Sequence, residues 1–450
     1  MNKAQAKISA SSTAGELVCA SAGRISTTQG TSLEILERSK QKENNGTLIE
    51  KVVASGHQSL IEHAMFTVAF DSVSVCVEEF VIEYRLASFT VQSRRYVDFT
   101  NIGCYVPELP EGLSARFTAH MEHMFGVYAK PLGLEIPKED ARFVLPYCFR
   151  SNFYCTLNAR ELMHMISAML WGRGAQFPEL RMLGASLKKQ FEAYFPHLLD
   201  AAEKNYHADT ARYALPDALP AIPDPKPMQA GIKLHDTTAS PETVITQAAA
   251  ANWMILPDEN PDLRAVVCGE RPRELETVQA RFTVQNLSLA AVTHLVRHRM
   301  QSVLVPQVTA AVLRNTYLIP QSIAENADAL ALYKQAFTDN TAALRAMLAD
   351  GLPVSAVQYF ALAGNQLDVL CVMNGRELRH FFALRTCNRA QWEIRAVAVA
   401  LLMQLRKQSP ALWSLMGPSC YVTGVCPEGR LSCGKIREVQ AYFAEGRSDE

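Results

Sequence analysis

The chain has 450 residues, 48% of them hydrophobic and 20% charged, which excludes a disordered composition and leaves room for two or three globular domains. A formal net charge of -1 excludes a broad electrostatic footprint for nucleic acid, so any anion site must be a local cluster. No apolar run reaches the roughly 18 residues of a membrane span, and Met1-Asn2-Lys3-Ala4-Gln5 is not followed by a signal-like apolar core, so no membrane contact and a cytoplasmic address are expected.

In chain order, a strand is expected around Phe66, then a helix ending in a cluster at Arg85, an extended segment from Tyr96 to Pro107 and a long helix from Leu113 to Leu132. A short helix, a strand from Ser151 to Leu157 and two closing helices complete this stretch. Between Asn205 and Ala230, Pro216, Pro220, Pro223, Pro225 and Pro227 favour an extended linker over a helix or central strand. The same order then returns: a strand around Phe282, a helix ending at Arg299, an extended segment from Asn315 to Pro320, a long helix from Ile323 to Asp350, a strand from Leu367 to Met373 and two closing helices. In the helix before Arg299, Leu289, Val292, Leu295 and Val296 recur at three- and four-residue spacing, so it reads as amphipathic and delivers Arg297-His298-Arg299 at its C-terminal end. Two guanidiniums and an imidazole suit a phosphate or the edge of a pyrimidine-dione. Cations at that place also complement the helix macrodipole.

Self-similarity makes the recurrence explicit. Phe66-Thr67-Val68 is matched by Phe282-Thr283-Val284, 216 residues on. Arg85-Leu86-Ala87-Ser88 is matched by Arg299-Met300-Gln301-Ser302, 214 residues on, and Asn158-Ala159-Arg160-Glu161-Leu162-Met163-His164 by Asn374-Gly375-Arg376-Glu377-Leu378-Arg379-His380, again 216. Ordered matches at nearly one offset indicate a tandem duplication. The expected domains are residues 1–205, a linker over 206–229, and 230–450 with a cysteine-rich tail at 417–434. Strands mixed with helices without a regular βαβ rhythm indicate an α+β fold, built twice.

The triplet Arg297-His298-Arg299, the segment Ser93-Arg94-Arg95-Tyr96, the two Asn-x-Arg-Glu-Leu stretches and Arg385-Thr386-Cys387-Asn388-Arg389-Ala390-Gln391-Trp392-Glu393-Ile394-Arg395 resemble the flavin-dependent thymidylate synthases. The likeness spans most of both copies. It implies binding of FAD and dUMP at subunit interfaces of a homotetramer. It also implies NADPH and methylenetetrahydrofolate as co-substrates, and formation of dTMP without a cysteine nucleophile. For this chain a homodimer of tandem chains, a pseudo-tetramer, is the corresponding expectation.

Measured against that resemblance, each copy is incomplete in a complementary way. The first reads Glu83-Tyr84-Arg85 where the basic triplet belongs, yet keeps Ser93 after seven intervening residues. The second keeps the triplet but has Gln307 at the serine position. The nucleotide-holding arginine is Arg142 in the first copy and Gln358 in the second; the arginine that faces uracil is Arg385 in the second, with Met169 in its place in the first. Fusion of a symmetric dimer lets each copy lose one set of ligands while one composite site survives. By resemblance, Ser93, Arg95 and Arg142 would hold phosphate and sugar, Arg385 would stabilise charge on the uracil, and Arg297, His298, Arg299, Asn374, Arg376 and His380 would bind FAD, Arg297 also reaching the substrate. Val91 would stand beside the cofactor, and Gln92 and His294 beside the substrate. These last three depart from the family pattern, so methylation of another pyrimidine nucleotide, or a non-catalytic nucleotide-binding role, stays open.

Blander roles compete for some of these residues. Asn374 suits a helix N-cap, Arg95 and Arg142 suit solvated charges, Arg385 suits a helix-end cation, and His57 and His63 suit structural histidines. Eleven cysteines, mostly single residues in apolar segments such as Cys76, Cys148, Cys155 and Cys371, fit buried thiols of a reducing compartment. Cys420, Cys426 and Cys433 lie close together in sequence among Gly417, Gly424, Gly429 and Gly434; with Cys387 they offer four sulfurs for a structural zinc ion, remain ordinary reduced thiols, or serve a redox role.

Overall fold

The structure, a computed structural model, describes residues 3–95, 97–206, 214–253 and 261–445. Tyr96 of the serine-arginine segment and residues 207–213 of the proline-rich stretch lie outside it. Each copy builds one four-stranded antiparallel sheet. In the first, β1 (Gln5–Ser11), β2 (Met65–Ser74), β3 (Ala87–Val91) and β4 (Arg150–Asn158) lie in the order β1-β2-β4-β3. In the second, β5 (Lys226–Pro227) precedes β6 (Gly231–Thr237), β7 (Gln279–Ser288), β8 (Gln301–Leu304), β9 (Thr316–Tyr317) and β10 (Gln366–Asn374), and the sheet runs β6-β7-β10-β8. The two orders are the same once the short β5–β9 pair is set aside. Alternation places Phe66, Val68 and Phe70 of β2 on the buried face, as it does Phe282 and Val284 of β7, and Phe70 stacks on Phe153 of β4 at 4.6 Å.

The copies share a finer feature that periodicity does not reveal. Near the end of β2, Ser72 takes a φ of 55°, and near the end of β7, Asn286 takes a φ of 51°; each sits where the register slips. The bulged N–H is satisfied from the neighbouring strand in both cases, Ser72 N–H by Asn152 Oδ1 and Asn286 N–H by Asp368 Oδ1, each at 2.8 Å. Two residues later a serine caps a helix: Ser74 accepts from Val77 N–H at the start of Val75–Ile82, and Ser288 from Ala291 N–H at the start of Leu289–Leu295. Both serines also donate, through N–H and Oγ, to a carboxylate from a later helix, Glu179 in the first copy and Glu393 in the second.

The Leu289–Leu295 helix differs from its expected form. All seven residues are buried, so it has no polar face, and the basic triplet falls in the turn beyond it instead of in its last turn. The long segment from Ile323 to Asp350 is likewise two helices, Gln321–Ala324 and Ala327–Ala349, the second capped by Asn326 accepting from Ala329 N–H. No helix among the described residues is long and apolar enough to cross a membrane.

By packing, the chain divides into one unit of residues 1–225 with 320–363 and another of 226–319 with 364–450. This division is not the linear one at 1–205, 206–229 and 230–450. The reason is in the first unit, where helix Ala327–Ala349, from the second copy, packs on its own counterpart Leu113–Gly133. His120 Nε2 meets Asn340 Oδ1 at 2.9 Å, and Phe117 meets the edge of Phe360 at 5.5 Å. Tyr147 N–H donates to Ala361 O and Ala363 N–H to Leu145 O, a pair of bonds that exchange when equivalent residues of the two copies are exchanged. Such reciprocal contacts are the mark of a two-fold, isologous interface. The proline-rich stretch is tied down here too, with Arg345 donating to Ile222 O and pairing with Asp224 at 2.9 Å.

Candidate functional site

The first unit gathers guanidiniums around the turn after β3. Arg95 N–H donates to Ser93 Oγ at 3.3 Å, which shapes the turn, and Arg95 Nε pairs with Glu139 Oε1 at 2.7 Å. Arg142 donates from Nε to Glu139 O at 3.0 Å, so Glu139 joins the two arginines. Arg142 is 3% exposed, and its Nη2 has no hydrogen-bond partner among the described residues. Burial first, and then the neighbouring Arg94 charge, brings its pKa down to about 10. A buried guanidinium nitrogen without an acceptor is costly, and an anion brought beside it relieves that cost. The surface-charge role for Arg142 is therefore excluded by its burial. Val91 ends β3 half-buried; Gln92 is exposed, and its Oε1 accepts from Asn152 Nδ2 at 3.0 Å.

Sequence reasoning gave no role to Arg94, which holds this turn. It is buried, pairs with the buried Glu78 of helix Val75–Ile82, and lies over the Phe149 ring at 5.3 Å. Ser151 Oγ donates to the same carboxylate. Burial, the largest single influence, opposes the charge on Arg94, but Glu78, Tyr147 and Glu79 together outweigh it and the pKa is raised. Beside this pair, burial followed by the Glu78 charge pushes the Glu79 carboxyl up to about 8, and Tyr147 Oη donates to it at 3.4 Å. Two acidic residues inside the apolar run Val75–Ile82 were the available signal, because a buried carboxylate demands a cation or a proton.

The second unit builds a different arrangement. Helix Gly375–Arg385 begins with Asn374, whose side chain accepts from Glu377 N–H at 2.9 Å, so the capping role is real. It ends with Arg385. From the turn after Leu289–Leu295, His298 reaches inward to 2% exposure, while Arg297 and Arg299 on either side are exposed. His298 Nδ1 lies 2.8 Å from Glu377 Oε1, and Arg385 Nε donates to His298 Nε2 at 2.9 Å. A guanidinium N–H can only donate, so Nε2 accepts and the ring is neutral with its proton on Nδ1. Burial, ahead of the opposing bond from Glu377, lowers the His298 pKa and favours that neutral state. Glu377, quoted in the repeated Asn-x-Arg-Glu-Leu stretch without a role, thus orients the imidazole.

Other expected ligands sit around this chain of bonds. His380 is exposed with its ring 5.6 Å from that of His298, and Arg376 pairs with Glu276. His294 is buried in the Leu289–Leu295 helix. His57 and His63 are exposed at the two ends of the turn Gln58–His63 in the first unit. The positions that fail the family pattern are also placed: Met169 is fully buried, Gln358 is buried, Gln307 is exposed, and Glu83 pairs with Arg173 at 2.5 Å. All eleven cysteines are free among the described residues, and no group of three or more His, Cys, Asp or Glu side chains there is arranged to hold a metal ion.

The comparisons agree with this duplicated architecture. A sequence model described as "Thymidylate synthase complementing protein" matches residues 7–197 and again 233–411. The flavin-dependent thymidylate synthase of Geobacter sulfurreducens is 35% identical over 174 residues, covering 38% of this chain and 75% of that protein. The enzyme of the same name from Clostridium tetani is 27% identical over 246 residues, covering 48% of this chain and 98% of that protein. Among solved structures, a UMP/dUMP methylase PolB from Streptomyces cacaoi bound with 5-Br dUMP aligns with a TM-score of 0.37 and 23% identity, over 47% of this chain and 97% of that one. With matches over most of both copies, the chain belongs to the thymidylate synthase complementing protein family.

Proposed function

We propose that the protein is a flavin-dependent thymidylate synthase, which methylates dUMP reductively to dTMP. Methylenetetrahydrofolate would be the carbon donor and NADPH the electron source. The observation that carries the reading is the Glu377–His298–Arg385 chain, which fixes a guanidinium through Nε with a neutral, buried imidazole. Arg385 faces the uracil carbonyl and N3, and stabilises the negative charge that develops as C5 becomes nucleophilic. Ser93, Arg95 and Arg142 hold the nucleotide's phosphate and sugar, with the unpartnered Arg142 Nη2 as one donor and Arg95 released from Glu139 as another. Gln92, His294 and Arg297 are the remaining nucleotide-side residues of this reading.

FAD fits the remaining donors: exposed Arg297 and Arg299, Asn374, Arg376, His380 and, with its inward ring, His298, beside Val91. When bound it supplies the hydride, chemistry no side chain provides. A homodimer of tandem chains is the expected assembly.

The test is direct. Purified protein is mixed with FAD, and dUMP is added in one sample and UMP in another. Flavin absorbance perturbed by dUMP, followed by dTMP formation on adding NADPH and methylenetetrahydrofolate, is expected. Turnover of UMP alone transfers the reading to another pyrimidine nucleotide, and absence of flavin binding removes it. Ser93→Ala and Arg385→Ala should each abolish activity. Restoration on mixing the two inactive chains marks a site assembled from different chains, and its absence a site within one.

A further inference from the structure

Asn152 joins two features of the first unit. It lies on β4, between the bulge at Ser72 on β2 and Gln92 just beyond the end of β3. Its Oδ1 accepts from Ser72 N–H at 2.8 Å, its Nδ2 donates to Gln92 Oε1 at 3.0 Å, and its backbone O accepts from Gln92 N–H at 3.2 Å. Gln92 is thus held at two points, by backbone and by side chain, immediately before Ser93.

The chemistry of these groups leaves one orientation. A backbone N–H can only donate, so the Asn152 atom facing Ser72 is the carbonyl oxygen. The other atom is then the NH2, which also only donates, so the Gln92 atom it meets is Oε1. Gln92 Nε2 is left at the outward end of an exposed side chain, with no protein partner among the described residues. Two amides in series therefore carry the sense of the bulge N–H to Gln92, which offers a donor and not an acceptor. The second copy fills the equivalent place differently. Asp368 takes the bulge N–H of Asn286, also at 2.8 Å, but turns its carboxylate to Arg314 at 2.7 Å, and Arg314 donates to Asn286 Oδ1 as well. The bulge needs an acceptor, which aspartate supplies; asparagine adds the NH2 that fixes Gln92.

We propose, resting on the nucleotide reading above, that Asn152 is a positioning residue for the nucleotide's phosphate and acts through Gln92. The Nε2 group that it turns outward is next in sequence to Ser93 and joins Ser93, Arg95 and Arg142 as a donor to a phosphate oxygen. An NH2 offered to an anionic oxygen attracts it, whereas the same amide rotated by half a turn would offer Oε1 and repel it. Fixing the amide beforehand also removes the cost of ordering a free glutamine when the nucleotide arrives.

The experiment is a double-mutant cycle on the full chain, with KM and kcat for dUMP from steady-state kinetics and the dissociation constant for dUMP from calorimetry. Asn152→Asp keeps an acceptor for Ser72 N–H, as Asp368 does for Asn286, and removes the donor to Gln92. It should raise KM and the dissociation constant about tenfold and leave kcat unchanged, and Gln92→Ala should do the same. With Gln92 already removed, Asn152→Asp should add less than about twofold. Unchanged affinity in N152D overturns the proposal. Effects that multiply in the double variant also overturn it, because they mark a carboxylate acting on the nucleotide directly. Should N152D fail to fold, Gln92→Glu decides. With one carboxylate oxygen held by Asn152, the other takes the place of Nε2, so dUMP must bind more weakly than to Q92A; equal affinities overturn the proposal. Wild-type protein that binds dUMP without making dTMP removes the catalytic reading and leaves this one to the affinity cycle.

Discussion

Ser74 with Glu179 and Ser288 with Glu393 are the same device in the two copies: a bulge, a serine cap, and a carboxylate from a later helix that receives both N–H and Oγ. A few residues further the copies part. In the second, His298 stands between Glu377 and Arg385. In the first, the equivalent positions are Tyr84, Glu161 and a fully buried Met169, though Glu161 still accepts Leu86 N–H at 3.4 Å as Glu377 accepts Met300 N–H at 3.3 Å. The part of the network that satisfies the backbone is kept in both; the part that presents a cation is kept in one. A buried guanidinium without an anion to serve is a burden, so a copy relieved of a ligand is expected to replace it with an apolar side chain. The reverse holds at residue 142, where the first copy keeps the arginine and the second has Gln358.

Writing one copy into the other tests this contrast. The largest effect is expected from Arg385→Met, which installs the first copy's residue: kcat should fall by about 10²–10³-fold, with flavin still bound. Unchanged kcat in a stopped-flow assay breaks the comparison. Arg142→Gln, the second copy's choice, should raise KM for dUMP by roughly 10–100-fold through loss of a charge-assisted bond, measured by steady-state kinetics and nucleotide titration.

His298→Phe should lower kcat by about tenfold. It should also remove an acid limb from the pH profile. The lowered pKa means the folded state prefers neutral His298, so its contribution to stability is present above the ordinary imidazole pKa and lost as pH falls through the folded value. Protonation there also ends acceptance of the Arg385 N–H. An acid limb that survives the substitution assigns that limb elsewhere.

The smallest effect concerns Glu79, which has Thr293 as its counterpart. With the carboxyl raised to about 8, its burial is favourable below the ordinary carboxyl pKa and becomes unfavourable as pH rises through 8. Glu79→Gln should flatten the fall in stability between pH 6 and 8 by about 2 kcal/mol, read from urea unfolding. Parallel curves for the two proteins would contradict the assignment.

Much of this was legible in the residues. The offsets of 214 and 216 gave the duplication, and the complementary gaps at residues 83, 93, 142, 169, 307, 358 and 385 were visible before any coordinates. The bulges at Ser72 and Asn286 were not, because a single left-handed residue leaves no mark on hydrophobic alternation. Nor was the inward turn of His298 visible: the triplet is uniformly basic in sequence, and only packing separates one buried ring from two exposed guanidiniums. The allegiance of residues 320–363 was hidden for another reason. An interface between like copies reads identically whether a segment packs on its own copy or on its twin.

That last arrangement bears on how the molecule responds to dilution. Where separate subunits would dissociate as they become scarce, the covalent tether keeps Leu113–Gly133 and Ala327–Ala349 at a high effective concentration regardless of how few molecules are present. A truncated chain ending at Pro225 would leave one helix without its mate. It should recover a mate by pairing with a second truncated chain, so its melting temperature would depend on protein concentration while that of the intact chain would not.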